Sequence, residues 1–141
     1  MGCAKLKRES PLRILVVDDF AEWRGRVRSM LQAQPEWQVI GEACDGLEAV
    51  QRTQELHPDI VVLDIGMPKL GGIEAAKRIR RDSPSSRIIF VTQENDADIR
   101  SEALATGAER YLLKANAMEE LLPAVEASSV NGHDARALSC D

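Results

Sequence analysis

Residues 58–80 read PDIVVLDIGMPKLGGIEAAKRIR. Four consecutive apolar residues, Ile60 to Leu63, end abruptly on Asp64. A short loop with Met67-Pro68 and Gly71-Gly72 then opens a segment in which Ile73, Ala76 and Ile79 recur at helical spacing. A strand apolar at every position is covered on both faces, as in a parallel sheet between helix layers. A carboxylate closing such a strand suggests that the strand delivers it to a site.

The same alternation of periods extends to both sides. Arg13–Val17, Trp37–Ala43, Arg87–Val91 and Arg110–Leu113 read as further strands. Phe20, Trp23, Val27, Met30 and Leu31 form a helical stripe after the first strand. Asp45 is placed to cap a helix with Leu47, Val50 and Leu56 inward, which Pro58 stops. Pro84 closes the helix after Gly72. A weak helix from Asp96 to Thr106 has only Ile99 and Leu104 as apolar anchors, and Gly107 at its end. Met118, Leu121, Leu122 and Val125 mark a last helix. These are five βα units, so the expected fold is α/β, a three-layer sandwich around a parallel sheet. Residues 12–127 form the expected domain. Residues 1–11 and 128–141 lack the apolar period and are expected to be flexible end segments.

The 141 residues suffice for one domain with a core of its own. A net charge of −5 argues against direct nucleic-acid binding by this chain, which would need a basic face. No apolar run approaches a membrane span, and MGCAKLKRESP has no signal-peptide apolar core. Gly2 fits a myristoylation pattern, but Leu6 stands where that pattern wants Ser or Thr. Cys3, Cys44 and Cys140 show no CxxC spacing and cannot all pair, which points to free thiols in a reducing cytoplasm.

In open α/β sheets, ligands bind beyond the carboxyl ends of the strands. Asp18 and Asp19 end the first strand, Asp64 the third and Thr92 the fourth, and Lys114 follows the fifth. Any one of them alone would read as a cap or a solvated loop residue. Together they place three carboxylates, a hydroxyl and an ammonium on one edge. Hard oxygen ligands suit Mg²⁺. A carboxylate can attack phosphorus to give an aspartyl-phosphate. A lysine offsets the charge of a transferred phosphoryl group, and a threonine hydroxyl can donate to its oxygens. Three acids so close, with only Lys114 to offset them, are expected to repel one another. His57 sits at a helix end and has no expected catalytic role; Trp23 and Trp37 read as packing residues.

The stretches ILVVDDF, DIVVLDIGMPKLGGIEAAKRIR, RIIFVTQEN and GAERYLLKANAMEELLPAV, in this order, resemble the receiver domain of bacterial two-component response regulators. DGLEAV and LLKANAMEELLPAV further resemble the NarL/FixJ-type branch. The resemblance implies a doubly wound flavodoxin-like (βα)5 sheet of strand order 2-1-3-4-5. It makes Asp64 the phosphoacceptor, and Asp18, Asp19, Asp64 and the backbone carbonyl of Gly66 the ligands of Mg²⁺. Thr92 and Lys114 would bind the phosphoryl group, with Thr92 and Tyr111 as the switch pair. Implied partners are a sensor histidine kinase or phosphotransfer protein and, on phosphorylation, a second copy of the chain through the fourth helix, fifth strand and fifth helix.

This sequence departs from the family pattern at two positions. Ala115 follows Lys114, where Pro is common, and Gln93 follows Thr92, where a small residue is favoured. Gln93 is expected to narrow access to the site. Two other classes compete: a Mg²⁺-dependent phosphatase with an aspartyl nucleophile, and an interaction module with an idle site. The phosphatase pattern wants a second acid at the position of Gly66, and the full set of site residues argues against an idle site. Nucleotide binding is excluded by the lack of GxGxxG or GxxxxGK[ST]. An effector domain regulating transcription would need roughly 50 further residues, so the chain is expected to be either a stand-alone receiver or one cut before its effector.

Overall fold

A computed structural model describes residues 10–133. Five strands, β1 (Leu12–Val17), β2 (Trp37–Ala43), β3 (Ile60–Leu63), β4 (Arg87–Thr92) and β5 (Arg110–Leu113), form one parallel sheet of order 2-1-3-4-5. Between and after them run α1 (Ala21–Gln32), α2 (Gly46–Leu56), α3 (Gly72–Asp82), α4 (Ala97–Leu104) and α5 (Ala117–His133), the last preceded by a 3-10 turn at Lys114–Asn116. This is the flavodoxin-like order expected from the sequence.

The alternation of side chains along parallel strands divides the core into two layers. Ile14, Val16, Ile60, Val62, Ile89 and Val91 face Val27 and Leu31 of α1 and Leu121 and Val125 of α5. Leu15, Val17, Val61, Leu63, Ile88 and Phe90 face Ala49, Ala75, Ala76, Ile79 and Ala103 of α2, α3 and α4. The middle strand β3 is buried at all four positions, as the sequence pattern requires.

Several expected anchors point elsewhere. Leu47, Leu104 and Met118 are exposed, while Ala49, Ala103 and Ala117 beside them are fully buried. Small side chains let a helix lie close to the sheet, and the neighbouring large residue turns to solvent. Phe20 is 56% exposed because it is the N-cap of α1 rather than part of its buried stripe. The last helix continues past residue 127 to His133, and Ser128 is fully buried, so the expected end segment is partly helical. Residues 1–9 and 134–141, with Cys3 and Cys140, lie outside the described residues.

Candidate functional site

Strand register assembles the carboxyl edge. Val17 pairs with Leu63, so Asp18 and Asp64 emerge side by side. The Asp64 amide donates to Val17 O at 3.1 Å, and the Asp18 amide to Ala43 O at 3.0 Å. Thr92 pairs with Leu113, which sets Lys114 one residue beyond it. Carboxylate oxygens of Asp18, Asp19 and Asp64 lie within 4.8 Å of one another. An open cleft of about 260 Å³ is lined by Asp19, Asp64, Gly66, Thr92 and Lys114, with Phe20, Gln93 and Glu94 at its rim.

The loop after β3 is held by close backbone packing. The Gly72 amide donates to Ile65 O at 2.7 Å, and a Cβ at Gly72 would collide with the Asp64 carbonyl oxygen. A Cβ at Gly46 would collide with Leu70 O in the same way. These two glycines let α3 and α2 start directly against the loop that carries Asp64.

Lys114 is engaged by acids. Its Nζ lies 2.8 Å from Asp18 Oδ2 and 3.5 Å from Asp64 Oδ2. Asp18 Oδ1 accepts the Phe20 amide at 2.8 Å, and Asp64 Oδ1 the Ile65 amide at 2.7 Å. Burial first, then the Asp18 charge, push the Asp64 carboxyl above its ordinary pKa. Lys114, the Ile65 amide and the Thr92 hydroxyl pull against that rise without cancelling it. The expected repulsion is therefore felt at Asp64, while the ammonium sits closest to Asp18.

Tyr111 is buried, its ring 6.2 Å from that of Phe90. Its hydroxyl donates to Glu94 O at 2.8 Å, and the Glu94 amide donates to Thr92 Oγ1 at 3.2 Å. Glu94 thus connects the two expected switch residues through its backbone. The Arg100 guanidinium lies 5.5 Å from the Tyr111 ring centroid.

Two contacts were not foreseen from the sequence. Arg24 Nη1 donates to the Asp18 carbonyl at 2.6 Å while its Nε pairs with Glu42 at 2.9 Å, so α1 braces the end of β1. Trp23 presents its ring 5.4 Å from Lys114 Nζ. Helical period alone assigns Trp23 to packing, and only the position of the Lys114 side chain, reaching from the turn after β5 toward α1, reveals the second role. A separate acidic group, Cys44, Asp45 and Glu48, is a reciprocal helix cap. Asp45 Oδ1 accepts the Glu48 amide and Glu48 Oε1 accepts the Cys44 amide, each at 2.8 Å. Its hydrogen bond with Glu48, more than any other influence, pushes the Cys44 thiol up, away from thiolate reactivity.

A five-stranded parallel sheet with acids, a hydroxyl and a lysine converging at its carboxyl edge defines a class of signalling domain. The chain belongs to the response regulator receiver domain family, which matches residues 14–126. Transcriptional regulatory protein LiaR of Bacillus subtilis is 39% identical over 118 residues, covering 84% of this chain and 56% of that protein. A protein-glutamate methylesterase/protein-glutamine glutaminase of Thermotoga maritima is 45% identical over 105 residues, covering 73% of this chain and 30% of that one. Among solved structures, a LuxR-family two-component response regulator from Aurantimonas superposes with TM-score 0.79 at 36% identity, covering 84% of each chain. The chain thus spans about a third to a little over half of these two curated relatives. It is a receiver domain of the two-component type, a phosphorylation-dependent signalling switch. No helix among the described residues is long and apolar enough to cross a membrane.

Proposed function

We propose that Asp64 is the phosphoacceptor of this receiver and that a sensor histidine kinase or phosphotransfer protein is its donor. The observation that carries the reading is the Asp64 carboxylate, which ends a buried strand yet lines an open cleft with Lys114 within 3.5 Å.

The donor set fits a divalent cation. Three carboxylates within 4.8 Å are matched by one ammonium, and all available ligands are hard oxygens. Asp18, Asp19, Asp64 and the Gly66 carbonyl would hold Mg²⁺, whose contribution is to offset charge on the phosphoryl oxygens.

The chain's own groups do the rest. One Asp64 oxygen bonds to phosphorus as the P–N bond of the donor phosphohistidine breaks and its electron pair leaves on the imidazole nitrogen. The Ile65 amide fixes the carboxylate for that attack. Lys114 exchanges part of its contact with Asp18 for the arriving phosphoryl oxygens. The Thr92 hydroxyl donates to the same group, and the link through Glu94 carries its displacement to Tyr111. The face formed by α4, β5 and α5 then changes its interactions, with a second copy of the chain among its candidate partners.

The domain is not an enzyme toward other substrates on this reading; it catalyses only its own phosphorylation and dephosphorylation. A cytoplasmic location fits the proposed kinase partner. Incubation with acetyl phosphate and Mg²⁺ should add one phosphoryl group to the wild type and none to Asp64→Asn. An equal mass gain in both proteins would remove Asp64 from its role.

A further inference from the structure

We infer that Trp23 is a positioning residue for Lys114, setting where the ammonium stands when a phosphoryl group arrives. The inference rests on the phosphoacceptor reading above and adds a residue to it.

Lysine is a poor choice for a fixed charge. Its ammonium is carried on a flexible four-carbon stem, and ordering that stem costs rotamer entropy. Lys114 follows the last residue of β5 and opens a 3-10 turn, so its backbone is held but its side chain needs walls. Asp18 at 2.8 Å and Asp64 at 3.5 Å attract the ammonium from one side. The Trp23 ring, 5.4 Å from Nζ, bounds it on another. The indole face carries partial negative charge and favours a cation within about 6 Å of its centroid.

Trp23 is itself well anchored. It is partly buried and packs on the core layer beneath α1 and α5. The next residue, Arg24, ties α1 to the Asp18 carbonyl and to Glu42, which fixes the helix that presents the ring. The Arg26 guanidinium lies 5.8 Å from the same ring. Lys114 is left with a side chain only 12% exposed. The ring does not touch the reacting atoms. It narrows the positions Nζ can take to those beside Asp18 and Asp64, where the incoming oxygens need it. Losing the ring should slow phosphorylation rather than release a trapped lysine, because the acids remain to attract the ammonium while its wall is gone.

The first measurement needs no phosphorylation. The chain has two tryptophans, so a Trp37→Phe background leaves Trp23 as the only indole. Lys114→Met should then shift the Trp23 emission maximum, because a nearby cation perturbs the indole; superimposable spectra would overturn the contact. The second measures the second-order rate of phosphorylation by acetyl phosphate with Mg²⁺. Trp23→Leu should lower it roughly twofold to tenfold, the range that a partly exposed cation–π contact supports. Trp23→Phe, which keeps an aromatic face, should recover most of the loss. Equal rates in wild type and Trp23→Leu, a faster Trp23→Leu, or no difference between the Leu and Phe variants would each overturn the positioning role. A wild type that gains no phosphoryl group on Asp64 strikes instead at the phosphoacceptor reading, and the emission comparison then still decides the contact.

Discussion

Lys114 Nζ lies 2.8 Å from Asp18 Oδ2, closer than its 3.5 Å approach to Asp64. The cation in the cleft therefore compensates the acid that ends β1 more than the acid proposed to react. The distribution of charge within the site follows from this asymmetry.

Asp64 is the acid left under-compensated, since burial and Asp18 together raise its pKa. A carboxyl raised in the folded state favours folding only while protonated. That contribution is present below the unfolded pKa and lost as pH rises through the folded one. At neutral pH in EDTA, Asp64→Asn should therefore melt higher than the wild type. The Asn carbonyl can still accept the Ile65 amide. The advantage should vanish as pH falls toward about 4, near the unperturbed carboxyl range. A constant offset between the two melting curves from pH 4 to 8 would contradict the assignment.

Asp18→Asn is expected to behave differently. It relieves repulsion at Asp64 but breaks the closer ion pair of a lysine with little solvent access. A charged hydrogen bond of this kind contributes about 1.5–3 kcal/mol, so the variant should gain no stability in EDTA. It should also respond less to added Mg²⁺, because ligands that bind only the folded state stabilise by mass action. Thermal melts with and without Mg²⁺ test both points. A variant that melts above the wild type in EDTA would show that repulsion outweighs the Lys114 pair.

Tyr111→Phe removes the bond to Glu94 O while keeping the ring against Phe90. The expected cost is about 1 kcal/mol. Hydrogen exchange should show it as faster opening of the β4–α4 loop and α4. Protection unchanged at residues 93–100 would mean that the hydroxyl does not hold this loop.

Gln93 is exposed at the rim of the cleft beside Thr92. Gln93→Ala should widen the approach and speed phosphorylation by a small donor such as acetyl phosphate. Rates that coincide would leave the side chain without a steric role.

Gly72→Ala should destabilise the domain, because the added Cβ meets the Asp64 carbonyl oxygen rather than a yielding side chain. Overpacking of this kind costs roughly 1–3 kcal/mol. Urea denaturation measures it, and a midpoint equal to that of the wild type would show that α3 can shift away.

The sheet was legible because its signal is local. An all-apolar Ile60–Leu63 bounded by Pro58 and Asp64 admits few readings, and the alternation of five strands with five helical segments fixes the layers. The convergence of Asp18, Asp64, Thr92 and Lys114 was legible because parallel register follows from the topology. The helix faces were less so. Sequence patterns weigh Leu47, Leu104 and Met118 above Ala49, Ala103 and Ala117, yet close packing on a sheet selects the small side chains. Pairwise geometry within the site was not legible either. That Lys114 pairs with Asp18 and that Trp23 faces Lys114 depend on contacts between elements distant in sequence, and that Arg24 reaches the Asp18 carbonyl depends on the conformation of its side chain.

If Asp64 is the phosphoacceptor proposed above, it and no other residue takes the phosphoryl group. Borohydride reduction after treatment with acetyl phosphate and Mg²⁺ converts an aspartyl-phosphate to homoserine, which peptide mass spectrometry locates. Homoserine should appear at position 64 alone, with none at positions 18 or 19. Homoserine at either of those positions, or an unmodified position 64 in a protein that has gained a phosphoryl group, would contradict it.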